Sequence, residues 1–527
     1  MNRRVCFPIL WLVVWLFCCS LGSVQGGKVL VLPVDGSHWL SMKILVEELS
    51  HRGHEVLVLA PENSMLMKSS RSYKIEIYKV PFTKADLGGN MKTMMNGLFL
   101  KPPGITDMFV DLERLVNYTS LQLKGCESLL NNQPVMSRLR GEGFDIVLTD
   151  PFLPCGPVVA QMFSIPAVYF LHGLPCDLVS KANQCPSPPS YVPVFFSSNT
   201  DVMTFPQRVK NLVMSIVESY MCRLMYYHFD DLVSRYLGDI LTYKELLSHG
   251  AFWLLRHDFV FEWPKPVMPN TAFIGGINCA KKSPLPMDLE KFVNESGDYG
   301  FIVLTFGSVV PDMPAETTKQ FFDAFRQMPQ RVVWRYTGVP PEEPPKNVRL
   351  MEWLPQNDLL AHPKAKVFIT HGGTHGIYES ICNAVPMLMF PLFGDQGDNV
   401  HRMVSRGVAE KLNIYHVTTE KLLDALKKII HDKSYKEKML ELSQKHLDRP
   451  VEPLDLAVFW TEFVMRHKGA AHLRVAAHEL NWVQYHSLDV LGFLFIILLT
   501  VLWLTLKCFL FCKRRCYRKE TTKKKRE

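Results

Sequence analysis

The sequence predicts an α/β protein made of two doubly wound domains that face each other across a cleft. Its 527 residues are enough for two domains of ordinary size. Short apolar runs alternate with longer stretches of helical pattern, which is typical of parallel sheets covered by helices. The alternation stops in a polar, proline-bearing linker at 278–294 and then begins again. We therefore expect one sheet on each side of this linker.

The first half opens as a βαβ unit. The apolar run 28–34 predicts a buried strand, and a helix at 40–52 and a strand at 55–60 follow. Between about 80 and 110 the chain is rich in Met, Gly and Phe without periodicity. That composition fits a pocket for apolar ligands, a membrane-facing surface or core filler equally well. Further strands are predicted at 144–149, 167–171, 252–255 and 271–276.

The second half repeats the pattern. Strands are predicted at 301–306, 332–336 and 367–370, and helices at 316–328, 419–432 and 434–445. A last helix at 453–466 is expected to pack back on the first half.

Both ends of the chain have the composition of membrane-targeting segments. Arg3 and Arg4 precede the apolar run 5–21, which predicts a secretory signal peptide cleaved near residue 26, with an uncleaved anchor helix as the alternative. The segment 490–506 has no charged residue and predicts a membrane-spanning helix. The basic block 513–519 follows it, so the positive-inside rule places the body of the protein in the lumen.

The net charge of +8 is located in the C-terminal tail. Residues 507–527 contain ten Lys and Arg and two Glu, so the rest of the chain is neutral and gives no reason to expect nucleic acid. Lys524 and Lys525 match the dilysine retrieval signal of membrane proteins of the endoplasmic reticulum; a generic polybasic end is the alternative.

Seven of the 13 cysteines fall in the predicted luminal body. An odd and sparse set predicts mostly buried thiols rather than a disulfide framework, although Cys176 and Cys185 are close enough in sequence to bridge. Asn117 and Asn294 each begin an Asn-X-Ser/Thr pattern and are expected to be glycosylated in that compartment.

The stretch 353–396 predicts a nucleotide-sugar site. A strand at 367–370 leads into the glycine-rich turn 371–376 and a helix near 377, an arrangement that binds anions at the helix N-terminus. Trp353 offers a flat face for a base and Gln356 an amide for its edge. Glu379 can accept hydrogen bonds from sugar hydroxyls. The apolar run 390–393 predicts a strand, and Asp395 and Gln396 at its C-terminal end can accept such bonds too.

His38 and Asp150 are the candidate catalytic residues. Each follows a predicted strand, so both belong at the carboxyl edge of the first sheet, where open α/β sheets bind ligands. A carboxylate beside an imidazole fixes its tautomer and stabilises its charged form, as a histidine base requires. Individually, the histidine could cap a helix and the aspartate could form a turn. His371 and His375 have a zinc-ligand spacing, but no third ligand is evident, and His375 is expected to be a surface or hinge residue.

Three further motifs accompany this stretch: P-V-D-G-S-H-W-L-S-M near the start, L-T-D-P-F at 148–152, and R-H-K-G-A-A-H-L-R before the span. Together they resemble the vertebrate UDP-glucuronosyltransferases of family 1 over nearly the whole chain. Three positions depart from that family: Gly372 replaces an alanine, Thr305 a serine and Phe306 a leucine.

The resemblance implies the GT-B fold, two Rossmann-like domains with the acceptor in the first and the donor in the second. It also implies residue roles. His38 matches the general base and Asp150 its partner. Arg256 matches an arginine that recognises glucuronate. Trp353 and Gln356 match residues that hold uracil, and Glu379 one that holds ribose. The diphosphate is held by residues matching Ser308, Thr370, His371 and Gly376, and the sugar hydroxyls by residues matching Asp395 and Gln396.

The implied reaction is inverting transfer of glucuronic acid from UDP-glucuronic acid to small lipophilic acceptors, giving β-glucuronides for elimination without a metal or other cofactor. Phenols, steroids, bile pigments and xenobiotics are the family's acceptors, and which of them this chain uses stays open. So does its oligomeric state, although family members self-associate, with themselves or with related transferases. Transfer of another UDP-sugar to a membrane lipid is an alternative, as is non-catalytic binding of lipophilic ligands.

These inferences divide the chain into six parts. They are a signal peptide (1–26), an acceptor domain (27–280), a donor domain (281–445), C-terminal helices and a juxtamembrane segment (446–487), a membrane span (488–512) and a cytosolic tail (513–527). The expected location is the endoplasmic reticulum membrane, as a single-pass type I protein.

Overall fold

The computed structural model describes residues 26–86, 105–238, 241–279, 282–307 and 313–523. Two parallel sheets carry the fold, one on each side of the linker. Residues 1–25 of the predicted signal peptide, most of the Met-rich stretch at 80–110, Ser308, Lys524 and Lys525 lie outside the described residues.

Seven strands form the first sheet, in the order β3-β2-β1-β4-β5-β6-β7, and every neighbouring pair is parallel. The strands are β1 (Lys28–Leu32), β2 (Glu55–Pro61), β3 (Lys74–Tyr78), β4 (Ile146–Thr149), β5 (Ala167–Leu171), β6 (Phe252–Leu255) and β7 (Thr271–Phe273). The helices of this half are α1 (Ser37–His51), α2 (Ile105–Leu130), α3 (Gln133–Gly141), α4 (Cys155–Phe163), α5 (Leu178–Ala182), α6 (Phe205–Leu237) and α7 (Tyr243–Leu247).

Six strands form the second sheet, in the order β10-β9-β8-β11-β12-β13, again all parallel. The strands are β8 (Phe301–Thr305), β9 (Arg331–Arg335), β10 (Val348–Met351), β11 (Ala365–Thr370), β12 (Met387–Met389) and β13 (Ala409–Lys411). The helices are α8 (Met287–Asn294), α9 (Ala315–Arg326), α10 (Gln356–Ala361), α11 (Thr374–Cys382), α12 (Gln396–Ser405), α13 (Thr419–His431), α14 (Lys433–Leu447) and α15 (Pro453–His467).

The strand order reverses once in each sheet. In the first sheet the reversal lies between β1 and β4, and in the second between β8 and β11. The connections leave in opposite directions from such a pair of strands, so a crevice opens at their carboxyl ends. Each half therefore offers one crevice, and both crevices carry predicted site residues.

The helix α15 lies against the first sheet. Trp460 stacks on Phe252 of β6 with ring centroids 4.2 Å apart. In its first turn Asp455 pairs with Arg52 at 2.7 Å, and further along the helix Glu462 lies 3.3 Å from His54. The chain thus crosses to the second half and returns.

Two local predictions need correction. The helix α11 begins at Thr374, three residues before the predicted start, so it takes up half of the glycine-rich turn. The apolar run 390–393 is a loop that follows β12, because the strand is formed by the preceding residues, Met387–Met389.

The expectation of mostly unpaired cysteines is wrong. Six of the seven form the disulfides Cys126–Cys155, Cys176–Cys222 and Cys279–Cys382, and Cys185 is free. The partners are 29, 46 and 103 residues apart in sequence, so packing brings them together and spacing could not reveal them. Cys279–Cys382 ties the end of the first half to helix α11 of the second.

Residues 472–527 form a separate unit. Within it a one-turn helix, α16 (Trp482–Tyr485), is capped by the Asn481 side chain, and the long helix α17 (Leu488–Lys523) follows. Its segment Leu488–Arg515, with a mean hydropathy of 2.5, is long and apolar enough to cross a membrane.

Candidate active site

A cavity of about 2030 Å³ lies between the carboxyl edges of the two sheets. The turns after β1, β5 and β6 line one side, and those after β8, β11 and β12 line the other. The predicted site residues that reach it are His38, Arg256, Trp353, Gln356, Thr370, His371, Gly376, Glu379, Asp395 and Gln396. Asp150 lies beneath His38, so the structure brings together all the predicted donor and catalytic residues that it describes.

His38 and Asp150 form a pair at the crevice of the first sheet. The His38 Nδ1 atom is 2.6 Å from Asp150 Oδ2, and the aspartate is 1% exposed. The other carboxylate oxygen accepts from the Phe152 backbone N–H at 2.9 Å. A carboxylate beside Nδ1 favours the tautomer that carries its proton on Nδ1. The lone pair of Nε2 is then free to accept a proton from a group in the cavity.

The turn before His38 is held by Asp35. Its carboxylate accepts from the backbone N–H of Gly36, Met65 and Leu66, at 2.8, 2.6 and 3.2 Å. Gly36 has φ of 85°, a conformation that glycine adopts at little cost. These bonds hold the N-terminus of α1 in place, and with it His38 in the first turn of that helix.

Arg256 is a buried cation at the end of β6. One terminal N–H donates to Ser41 Oγ at 3.1 Å, and the guanidinium lies 5.8 Å from the Phe170 ring centroid. Nε has no hydrogen-bond partner among the residues that the structure describes. Burial lowers the pKa of Arg256 from its ordinary value, although Asp150 and Asp395 oppose the shift. No carboxylate of the described chain lies within ion-pair distance, so an anion entering the cavity would find an unpaired, desolvated guanidinium.

Glu379 lines the cavity together with Gln356 and Trp353. It is 5% exposed, accepts from Gln356 Nε2 at 2.5 Å and pairs with His375 Nε2 at 3.1 Å. Trp353 is half exposed, with the Arg335 guanidinium 5.6 Å from its ring centroid. A flat ring with an amide and a carboxylate nearby can bind a base and a ribose.

His375 lies at the junction of the two halves. Its Nδ1 is 3.0 Å from Ser41 Oγ, and its backbone carbonyl accepts from Asn278 Nδ2 at 3.1 Å. Among the described residues, no group of three or more His, Cys, Asp or Glu is placed to hold a metal ion.

His371 is held between two glycines. A Cβ atom at Gly307 would lie 2.7 Å from the imidazole and one at Gly373 2.6 Å, so larger residues at either position would displace the ring. Burial lowers the pKa of His371 to about 4, so the ring is neutral at pH 7. It precedes the N-terminus of α11, whose first residues line the cavity and whose first backbone N–H groups have no acceptor within the helix.

Asp395 and Gln396 differ in what they can offer a sugar. Asp395 Oδ2 accepts from Asn399 Nδ2 at 2.8 Å, and burial raises the pKa of this carboxyl above its ordinary value. Gln396 Oε1 is occupied by the backbone N–H groups of Leu392 and Phe393, at 2.8 and 3.1 Å. Only the amide N–H groups of Gln396 remain for a ligand.

Two histidines that line the cavity were not predicted as site residues from the sequence. His172 follows β5 and His257 follows Arg256 after β6; their rings meet edge to face with centroids 5.6 Å apart. The position after a buried strand, which pointed to His38 and Asp150, also pointed to these residues.

A polar cluster joins the two halves behind the cavity. Asp258 accepts from the Tyr378 hydroxyl at 3.1 Å and lies 2.6 Å from His446 Nδ1. Burial alone would raise the pKa of Asp258, but the bonds from His446 and Tyr378 outweigh it and lower the pKa. Nearby, Glu262 pairs with Arg402 at 2.8 Å. None of these residues carried a sequence signal, because they bond across the junction.

Comparison with known sequences gives a family match. Residues 27–525 match the family model described as UDP-glucoronosyl and UDP-glucosyl transferase. A UDP-glucuronosyltransferase of Pleuronectes platessa is 63% identical over 472 residues, covering 89% of this chain and 100% of that protein. UDP-glucuronosyltransferase 1A1 of Homo sapiens is 48% identical over 516 residues, covering 98% of this chain and 97% of that protein.

Solved structures agree in fold. The spinosyn forosaminyltransferase SpnP has a TM-score of 0.56 at 17% identity, covering 83% of this chain and 99% of that chain. CalG4, the calicheamicin glycosyltransferase, has a TM-score of 0.55 at 17% identity, covering 84% of this chain and 99% of that chain. The predicted GT-B fold is confirmed.

Proposed function

The chain belongs to the UDP-glucoronosyl and UDP-glucosyl transferase family, and on that premise we propose that it transfers glucuronic acid from UDP-glucuronic acid to a hydroxyl of a small lipophilic acceptor. The relatives of 46–63% identity are UDP-glucuronosyltransferases, which favours glucuronic acid over another sugar. The observation that carries the proposal is the His38–Asp150 pair opposite the donor residues in one cavity. A non-catalytic binding protein would have no use for that pair.

The acceptor hydroxyl is activated by His38. Its Nε2 takes the hydroxyl proton while the oxygen attacks the anomeric carbon of the donor. Asp150 then stabilises the imidazolium that forms, through the 2.6 Å contact at Nδ1. A neutral alcohol or phenol is a weak nucleophile, and a positioned base accelerates such a step by about two to four orders of magnitude.

The bond between the anomeric carbon and the diphosphate oxygen breaks as the new bond forms. Attack opposite to the leaving group inverts the α-linked donor to a β-glucuronide. The leaving UDP is stabilised by the backbone N–H groups at the start of α11, with Thr370 and the neutral His371 beside them. We assign no metal or other cofactor to this step.

Arg256 is the proposed partner of the uronate carboxylate. A glucuronate differs from glucose by this one anionic group, and a buried guanidinium without an ion-pair partner gains most from an anion. Glucose in the same place would leave the guanidinium buried and unpaired.

The proposed location is the endoplasmic reticulum membrane, with the body in the lumen. It is supported by the apolar segment Leu488–Arg515 and the basic residues that follow it. Asn117 is exposed on α2, as a glycan acceptor must be. In this orientation the cavity takes its donor from the lumen and its lipophilic acceptors from the lumen or the bilayer.

The test is donor use by membranes that contain the protein. With a phenolic acceptor panel, UDP-glucuronic acid is expected to give products that β-glucuronidase hydrolyses, and UDP-glucose and UDP-galactose little or none. Membranes with His38→Gln are the control for background activity. Exclusive use of UDP-glucose or UDP-galactose would overturn the assignment of the sugar.

A further inference from the structure

His172 extends from the first half toward the sugar-binding loop of the second. It directly follows β5, lines the cavity, and places Nε2 3.9 Å from Asp395 Oδ2. This is too far for a direct hydrogen bond. The two atoms belong to opposite sides of the cavity, so a group bound between the sheets could reach both.

The proton of His172 is placed by its surroundings. Nδ1 is buried and has no hydrogen-bond partner in the described part of the chain, while Nε2 faces the Asp395 carboxylate. A proton on Nδ1 would be a buried donor without an acceptor, so the stable tautomer carries it on Nε2. Burial, with the nearby His257 and Arg256, lowers the pKa of His172 well below its ordinary value. The ring is therefore a neutral donor aimed at a carboxylate.

The gap between His172 Nε2 and Asp395 Oδ2 has the right width for a hydroxyl group. An oxygen about 2.8 Å from both atoms fits a separation of 3.9 Å. A hydroxyl can donate to Asp395 and at the same time accept from Nε2–H, and a carboxylate could not donate. Arg256 lies close to both residues. Its positive charge helps to lower the pKa of His172, and the negative charge of Asp395 in turn raises the pKa of Arg256.

We propose that His172 is a specificity-determining residue that, together with Asp395, binds the C4 hydroxyl of the donor's glucuronic acid. The inference rests on the proposed function and deepens it. With the uronate carboxylate on Arg256, the hydroxyl on the neighbouring ring carbon is the one nearest to that cation. In the C4 epimer, galacturonate, this hydroxyl points to the other face of the ring and misses the gap.

The experiment compares UDP-glucuronic acid with UDP-galacturonic acid in three proteins. The wild type is expected to prefer UDP-glucuronic acid in kcat/KM. His172→Leu, which has similar bulk but no donor, should raise KM for UDP-glucuronic acid by about three- to tenfold and reduce the preference by a similar factor. His172→Gln, whose amide N–H can reach the position of Nε2, should keep most of the affinity for UDP-glucuronic acid and most of the preference over UDP-galacturonic acid. Inhibition by UDP alone should not change, because UDP does not reach His172.

A second comparison uses Asp395→Asn alone and combined with His172→Leu. If both residues bind one hydroxyl, the double variant loses less than the product of the single effects. The proposal is overturned if His172→Leu leaves KM and the epimer preference within twofold of the wild type, or if the two losses multiply. Failure of the proposed function looks different, since the wild type itself would then form no glucuronide.

Discussion

The two sides of the cavity are encoded in different ways. On the donor side, the residues from Trp353 to Gln396 lie within one stretch of the chain. On the acceptor side, His38, Asp150 and Arg256 follow three different strands, β1, β4 and β6. The donor site can be recognised in one continuous segment of the sequence. The catalytic pair forms only because the sheet topology makes β1 and β4 neighbours. We therefore expect changes within the 353–396 stretch to act on donor binding and changes in the His38–Asp150 pair to act on turnover.

The largest effect is expected from Asp150→Asn. Its carbonyl can keep the bond from the Phe152 backbone, so its amide would face His38 Nδ1 and force the proton onto Nε2. A histidine with that tautomer cannot accept the acceptor's proton, so kcat should fall by about two to four orders of magnitude. Steady-state kinetics with saturating donor measure this.

Asp145→Asn is the matched control, since Asp145 precedes the same strand and its side chain accepts from the Lys28 backbone N–H at the amino edge of the sheet. Its kcat should stay within about twofold of the wild type. Equal losses in the two variants would show that the aspartates act on stability rather than on proton transfer.

The second effect concerns the stability of the acceptor side. Cys176–Cys222 ties the turn after β5 to α6 and closes a loop of 46 residues. Replacing both cysteines with alanine should lower the free energy of unfolding by about 3–4 kcal/mol, because the unfolded chain regains the entropy of that loop. Urea unfolding of the detergent-solubilised chain measures it. Cys185→Ala, at the free cysteine, should cost less than about 0.5 kcal/mol; a large loss there instead would refute the pairing.

The third effect is a pH dependence of stability. Burial lowers the pKa of His257 to about 4 from 6.5. Below pH 6.5 the unfolded chain binds a proton that the folded chain excludes, so stability falls as the pH drops from 6.5 to about 4 and is unaffected above 6.5. The full loss is about 3 kcal/mol.

His257→Asn should remove this part of the acid sensitivity, since an amide can keep the bond to the His172 carbonyl. Unfolding at pH 7.5 and pH 4.5 measures it: the variant should lose less stability than the wild type between the two values. The same loss in both proteins would contradict the assignment.

The smallest effect is expected on the donor side. Glu379→Gln removes the negative charge and turns one acceptor oxygen into a donor, so the bonds with Gln356 and His375 lose their charge assistance and one of these partners must reverse its donor and acceptor roles. KM for UDP-glucuronic acid should rise about tenfold, with little change in kcat. Glu410→Gln, on β13 away from the cavity, is the control and should leave KM unchanged. A fall in kcat without a rise in KM would place Glu379 in the chemistry instead.

The elements predicted well from the sequence were the central strands. β5 and β6 have the predicted bounds, because short continuous apolar runs rich in aromatic residues are typical of strands buried on both faces. The edge strands β3, β10 and β13 were missed, since half-buried strands mix polar and apolar residues and resemble loops.

In the site, the pairing of His38 with Asp150 was predicted because both follow buried strands. The carbonyl of Gln396 was not predicted to be occupied by the backbone, since nothing in its neighbourhood indicates how the loop 390–395 folds. The disulfides and the Asp258–His446 contact join distant segments, and a single sequence holds no record of such contacts.

The central claim is that UDP is held by one side of the cavity and the proton is taken by the other. Calorimetric titration of UDP into the purified His38→Gln and Gln356→Ala variants tests it directly. We predict that His38→Gln binds UDP within twofold of the wild type yet forms no measurable glucuronide, while Gln356→Ala binds UDP more weakly and still forms product at high donor concentration. Loss of UDP affinity in His38→Gln, or glucuronide formation at the wild-type rate, would contradict the account.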